Sequence, residues 1–255
     1  MKVDILGAYG GNTVDHHMTN FIVDDFLAVD AGCITSTLTM DRQSAITDVV
    51  LSHAHIDHIG TLPLLVDNLF DQLTRPLMVW ASQAVIDALK AHVFNEVIWP
   101  DFSRLPNPES PAICFNPIEP GVSFQLSHLK ITPVPVNHLV PCYGYLIESI
   151  PDASAFLYSA DTCSTDAIWE LGNACENLKA VIVDCSFPNH LEDLARSSRH
   201  MTPRLLGQDL KKLDRDVDVY VYHIKPTFEA VMRKELAALD YPRLHTRLQS
   251  RCLEL

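Results

Sequence analysis

No two cysteines of this 255-residue chain are spaced CxxC, and no stretch approaches the ~18 apolar residues that a membrane helix needs. Basic side chains are scarce as well, 19 Lys and Arg against 32 Asp and Glu, for a formal charge of −13. Each shortage excludes something. The seven cysteines, at 33, 114, 142, 163, 175, 185 and 252, are odd in number and scattered, which disfavours a disulfide framework and a thiolate zinc site. The acidic balance argues against a long nucleic-acid track, because polyanion binding needs a surplus of Lys and Arg along its path. A small anion is still admissible where bound cations reverse the local field. The opening "MKVDILGAYGG" lacks the basic-then-apolar pattern of a secretion signal, so the expected location is the cytoplasm, with no membrane partner.

What is present is a large apolar content, 47% of residues, enough for a sizeable core without staples. The runs "KVDILG", "TNFIVDD", "FLAVDAG" and "ITDVVLSHAH" read as hairpins followed by a buried strand. A strand "PLMVWA" then lies between the helical patterns "IGTLPLLVDNLF" and "SQAVIDALKAHVF", the second with Ser82 as N-cap. Residues 94–120 hold six prolines and interleaved aromatics, which predicts a long ordered loop able to act as a lid. Beyond residue 121 strands resume and then alternate with helices, whereas the final "LQSRCLEL" shows no clear closing strand. No repeat, low-complexity segment or linker divides the chain, so residues 1–255 are expected to form one domain.

The chemistry concentrates in "HAHIDH", where His53, His55, Asp57 and His58 crowd the end of an apolar strand. Imidazole and carboxylate are ligands for divalent ions, and one short segment turning from strand to loop can serve two ion positions. Further donors must come from elsewhere. His138, Asp161 and His223 each follow a strong strand pattern, in "PVPVNHL", "FLYSADT" and "VYVYHIKP", and they count only if the fold gathers those strand ends.

"SHAHIDHIG", with the later "NH", "SADT" and "HIKP", resembles the HxHxDH signature set of the metallo-β-lactamase superfamily. Within it, "HAHIDHIGTLPLL", "VIDALKAHVFNEVIWPDF", "DCSF" with "HMTPRLL", and "VYVYHIKP" are similar to the class II cyclic nucleotide phosphodiesterases. The resemblance implies an α/β fold, an αββα sandwich of two mixed sheets with outer helices. It assigns His53, His55 and His138 to one ion, Asp57, His58 and His223 to a second, and Asp161 to both, with Asp30 of "VDAG" supporting a ligand histidine. Such nitrogen and oxygen donors suit a pair of Zn²⁺ ions, or Mn²⁺ or Fe²⁺. Relatives also suggest a homodimer.

The implied reaction is hydrolysis of a 3′,5′-cyclic nucleotide, cAMP or cGMP, to the 5′-nucleotide by a hydroxide shared between the ions, with Asp57 as ligand and proton acceptor. His200, in a segment similar to the His-x-Thr of tRNase Z enzymes, is the expected general acid, and Asp184 of "VIVDCSF" would orient it. The plain alternative has His200 merely preceding a helix capped by Thr202 with Pro203 in its first turn. Phe94, Trp99 and Phe102 of the proline-rich segment are candidates to stack on the base, against plain core packing. Two other readings remain at this stage: a tRNase Z-like or other phosphodiester hydrolase, and a nucleotide-binding regulatory protein without turnover.

Overall fold

A computed structural model describes all residues from Met1 to Leu255. In chain order, β1 (Lys2–Gly7), β2 (Asn20–Val23), β3 (Leu27–Val29), β4 (Asp48–Val50) and β5 (Leu77–Ala81) build most of the first sheet. A short hairpin of β6 (Pro106–Asn107) and β7 (Ser110–Pro111) leads into β8 (Ile113–Pro117). The second sheet is β9 (Phe124–Leu126), β10 (Leu129–Pro135), β11 (Tyr143–Ser149), β12 (Ser154–Tyr158), β13 (Leu178–Asp184), β14 (Asp218–Tyr222) and β15 (Leu244–His245). The chain then returns to the first sheet as β16 (Cys252–Glu254). The orders are β16-β1-β2-β3-β4-β5-β8 and β15-β14-β13-β12-β11-β10-β9.

Period-two patterning explains why the sheets face each other. Val3 and Ile5 of β1 point inward with Phe21, Val23, Val29 and Val50, and meet Ile131, Tyr145, Ile147, Phe156, Tyr158, Ile182 and Tyr222 of the second sheet in a continuous buried cluster. The outer face of the first sheet packs on the helices Leu62–Leu69 and Gln83–His92. The outer face of the second packs on Ala167–Ala174, Pro203–Asp209 and Glu229–Ala237. This is the αββα sandwich expected from the sequence, and no helix is long and apolar enough to cross a membrane. Both expected caps form: Ser82 Oγ accepts from Val85 N, and Thr202 Oγ1 from Leu205 N.

Strand direction positions the site. β3, β4, β5 and β8 run parallel, so their C-terminal ends share one edge. In the second sheet β12, β13 and β14 are parallel, and β10 runs the same way because both β10 and β12 are antiparallel to β11. The segments leaving β3, β4, β10, β12, β13 and β14 therefore all emerge along one edge of the sandwich.

Two expectations fail, at the two opposite edges of the first sheet. Residues 94–120 are not one long loop, because Ile113–Pro117 is the edge strand β8, where proline is tolerated. "LQSRCLEL" does contain a closing strand, since Cys252–Glu254 pairs with β1.

Candidate metal centre

The loop after β4 carries His53, His55, Asp57 and His58 onto that edge, and the turns after β10, β12 and β14 bring His138, Asp161 and His223 to meet them. The packing is tight enough to restrict side chains nearby. A Cβ on Gly32 would lie 2.2 Å from Asp57 O, so only glycine lets the strand-end turn and the histidine loop approach. Donor atoms of His53, His55, His138 and Asp161 lie within 4.8 Å of one another, as do those of Asp57, His58 and His223. Asp161 touches both sets: its Oδ2 is 3.1 Å from His223 Nε2 and 3.7 Å from His53 Nε2, and its Oδ1 is 3.4 Å from His58 Nε2. Tyr222 donates to Asp161 Oδ1 at 2.7 Å and fixes that carboxylate.

Behind the donors sit two buried carboxylate–serine pairs, one for each sheet. Asp30, at the end of β3, accepts from His58 Nδ1 at 2.8 Å, from Tyr158 OH at 2.7 Å, and from Ser52 through both its amide, at 2.8 Å, and its hydroxyl. Because the Ser52 hydroxyl donates to Asp30, it accepts from His53 Nδ1, 3.0 Å away. Asp184, the last residue of β13, pairs with His200 Nδ1 at 2.8 Å and accepts from Ser186 Oγ at 2.6 Å, and Ser186 Oγ lies 2.8 Å from His223 Nδ1. Each carboxylate thus holds one imidazole directly and another through a hydroxyl. His138 is oriented differently, Nδ1 facing the Arg199 carbonyl at 3.3 Å.

These contacts keep protons on Nδ1 of His53, His58, His138 and His223, so that with an ion in place of any Nε2 proton the Nε2 lone pairs would face the centre. The Nε2 atoms of His53 and His58 are buried with no hydrogen-bond partner, a costly arrangement unless something else binds them. Protonation points the same way for His53, His138 and His55. Burial, reinforced by the neighbouring His58, pushes His53 well below the ordinary imidazole value, and burial brings His138 down to about 4. Burial also lowers His55. Burial opposes charge on Asp57 and Asp161 too, but the hydrogen bond from His223 to the first, and the charges of His223 and His58 around the second, hold both below the carboxylate range. Burial would lower His58 as well, but the Asp161 and Asp30 carboxylates outweigh it and raise its pKa well above the ordinary imidazole value, so without an ion it carries a proton that a divalent ion would displace. Nitrogen with oxygen donors fits Zn²⁺, Mn²⁺ or Fe²⁺.

His200 lies outside these two sets, though its donor atom falls within 4.8 Å of those of Asp161, Asp184 and His223 in a third group. Its ring stacks on His223 at 5.0 Å and meets His138 edge-on at 5.1 Å. Burial would lower its pKa, but the Asp184 carboxylate outweighs burial and raises it. The helix cap at Thr202 and the Asp184 pairing coexist, so the capping role does not displace the other.

The aromatic candidates are not at the centre. Phe94 and Phe102 are 2% and 4% exposed, packed in the core outside the first sheet, and Trp99 leans on the same cluster. The helix Gln83–His92 carries the chain back to the N-terminal ends of β5 and β8, where Ala112 N donates to Phe102 O and Ala112 O accepts from Leu77 N. Stacking of a base on Phe94, Trp99 or Phe102, and a lid built from this segment's first half, are therefore corrected: these rings lie at the opposite end of the sheet from the histidines. The phenylalanine ring that does border the centre is Phe187, 5.9 Å from His200, with Phe228 packed against it. Ser52, Ser186, Tyr158 and Tyr222 were likewise missed by sequence reasoning. Ser52, Ser186 and Phe187 stand inside the motifs "SHAH" and "DCSF", which was the one available signal.

A family model described as the beta-lactamase superfamily domain matches residues 20–224. A probable 3′,5′-cyclic-nucleotide phosphodiesterase of Yersinia pestis is 26% identical over 280 residues, covering 89% of this chain and 79% of that protein. The 3′,5′-cyclic-nucleotide phosphodiesterase 1 of Saccharomyces cerevisiae is 25% identical over 228 residues, 76% of this chain, and the match spans 60% of that longer relative. Among solved structures, unliganded yeast PDE1 is similar at a TM-score of 0.83, with 20% identity and 100% and 99% of the two chains covered. The metallo-beta-lactamase fold protein YhfI from Bacillus subtilis is similar at 0.79, with 20% identity and 99% of each chain covered. At such identity the structural likeness is one of fold. With the family model spanning most of its length, the chain belongs to the beta-lactamase superfamily.

Proposed function

We propose that this protein is a metal-dependent phosphodiesterase that hydrolyses 3′,5′-cyclic nucleotides, cAMP or cGMP, to 5′-nucleotides. The observation that carries the proposal is the convergence of two donor sets, with Asp161 in the first and within 3.4 Å of His58 and 3.1 Å of His223 in the second, and a buried His200–Asp184 pair beside them. Support also comes from the relatives named as cyclic-nucleotide phosphodiesterases. His53, His55 and His138 would hold one divalent ion, Asp57, His58 and His223 the other, and Asp161 both. Ions so held would supply Lewis acidity toward phosphate oxygens and lower the pKa of water at the site.

The chain's own groups divide the remaining work. Asp57, kept anionic, accepts a proton from the attacking water. Asp30 and Ser52 on one side, and Asp184 and Ser186 on the other, keep the ligand imidazoles in their productive tautomers. His200, with Nδ1 committed to Asp184, presents Nε2 as donor. As water oxygen bonds to phosphorus and the bond to O3′ breaks, that proton passes to the leaving ribose oxygen, a step worth about 10² to 10⁴ in rate.

The test is direct. Purified protein loaded with Zn²⁺ or Mn²⁺ is assayed against cAMP, cGMP and bis-p-nitrophenyl phosphate. Turnover of a cyclic nucleotide that a chelator abolishes is the expected result. Clear turnover of the aryl diester with neither cyclic nucleotide consumed would move the assignment to another phosphodiester.

A further inference from the structure

Lys225 follows His223 by two positions and turns back over the centre. Its Nζ lies 4.0 Å from Asp57 Oδ2, and its side chain is 28% exposed. That separation exceeds a hydrogen bond, so the ammonium's donors are not committed to Asp57. The trunk of the residue is anchored: Lys225 N donates to Ser186 O at 3.3 Å, and Lys225 O accepts from Phe228 N at 2.9 Å. The opposite wall is Gly10, whose N donates to Ile224 O. A Cβ on Gly10 would come within 2.7 Å of both Lys225 Nζ and His223 Cε1. Bare backbone at residue 10 therefore gives the ammonium its course to the edge of the site. The other cation nearby is already engaged, because Arg199 Nη1 donates to Asn137 Oδ1 at 3.0 Å.

We propose that Lys225 is a substrate-positioning residue whose ammonium binds a non-bridging oxygen of the phosphate group beside Asp57 and His223. This rests on the phosphodiesterase reading. Ions held by the two donor sets would offset the charge of Asp57 and Asp161, and Lys225 adds a positive side chain at the edge beside Asp57. Negative charge on the non-bridging oxygens grows as water attacks, so the ammonium favours the transition state over the bound ester. A compact ammonium on a flexible stem suits one oxygen at the rim, whereas a guanidinium would seek a planar pair.

The experiment compares metal-loaded wild type with Lys225→Met and Lys225→Arg. Three readouts are taken: metal content, affinity for inorganic phosphate by calorimetry, and kcat and KM on the cyclic nucleotide that wild type hydrolyses. Lys225→Met is expected to keep its ions, bind phosphate about tenfold more weakly and lose about 10- to 100-fold in kcat/KM, with Lys225→Arg recovering part of both. Phosphate affinity and kcat/KM within twofold of wild type would overturn the proposal. If Lys225→Met loses ions, Lys225→Gln is measured in its place, and loss of ions in both variants would overturn positioning in favour of a structural role. Lys225-dependent phosphate binding without cyclic-nucleotide turnover would remove the substrate reading but keep this inference. Turnover with Lys225-independent phosphate binding would remove this inference alone.

Discussion

Replacing Asp30 with asparagine takes one charge from the group that orients two imidazoles while asking nothing of the backbone. Asp30 has φ of 57°, a left-handed conformation that asparagine accepts and most other residues resist. The amide oxygen can still receive Ser52 N and Ser52 Oγ, but the amide nitrogen now faces His58 Nδ1, where the native carboxylate accepts at 2.8 Å. Two donors cannot share that contact, so His58 moves its proton to Nε2 and forfeits the lone pair aimed at the centre. Orienting partners of this kind are typically worth about 10- to 100-fold in metal affinity. At about 1.4 kcal/mol per tenfold, that is roughly 1.4 to 2.8 kcal/mol. Competition against a chromophoric chelator gives the affinity, elemental analysis the occupancy, and circular dichroism a check on the fold. Affinity within twofold of wild type, in a folded Asp30→Asn protein, would refute the idea that Asp30 sets the tautomer.

His138→Ala should lower metal content and activity together, because a donor is gone, whereas His200→Ala should keep its ions and slow kcat by about 10² or more. A His200→Ala protein as active as wild type would end the acid assignment. Trp99→Phe should leave KM for a cyclic nucleotide unchanged, since this ring packs with the core at the far end of the first sheet; a severalfold rise in KM would contradict the strand directions. Burial would raise the pKa of Glu229, but hydrogen bonds from Tyr9, His16 and Arg233 outweigh it and bring the carboxyl down to about 2 from an ordinary 4.5. Its folded pKa being the lower one, the stability it contributes is complete above about pH 4.5 and drains away as pH falls toward 2. Urea midpoints of metal-free protein at pH 6 and pH 3 should differ less in Glu229→Gln than in wild type; equal differences would show that the cluster adds nothing.

The seven donors were legible because imidazoles and carboxylates at the ends of apolar strands have few other uses, and a sandwich with parallel strands gathers such ends. The base-stacking aromatics were misread for a geometric reason. The helix Gln83–His92 has 10 residues, a rise of about 15 Å, close to the length of the five-residue strand β5. A chain that climbs a strand and descends a helix of equal length finishes where it began. Phe94 therefore had to emerge away from the histidines, and the two lengths could have said so. β8 hid among prolines because an edge strand tolerates them, and β16 because three residues carry little pattern. Lys225 lay in view within "HIKP", but its meaning depends on Gly10 and Asp57, which only the fold brings near.

The two donor sets do not divide by sheet. His53 and His55 come from the first sheet and His138 from the second, and the other set likewise joins Asp57 and His58 to His223. Each ion would thus act as a rivet through both leaves of the sandwich, next to the Tyr145 hydroxyl that already bridges them at Leu51 O. Stripping the metal should unfasten this rim first, leaving the greasy interior between the leaves to hold them together alone.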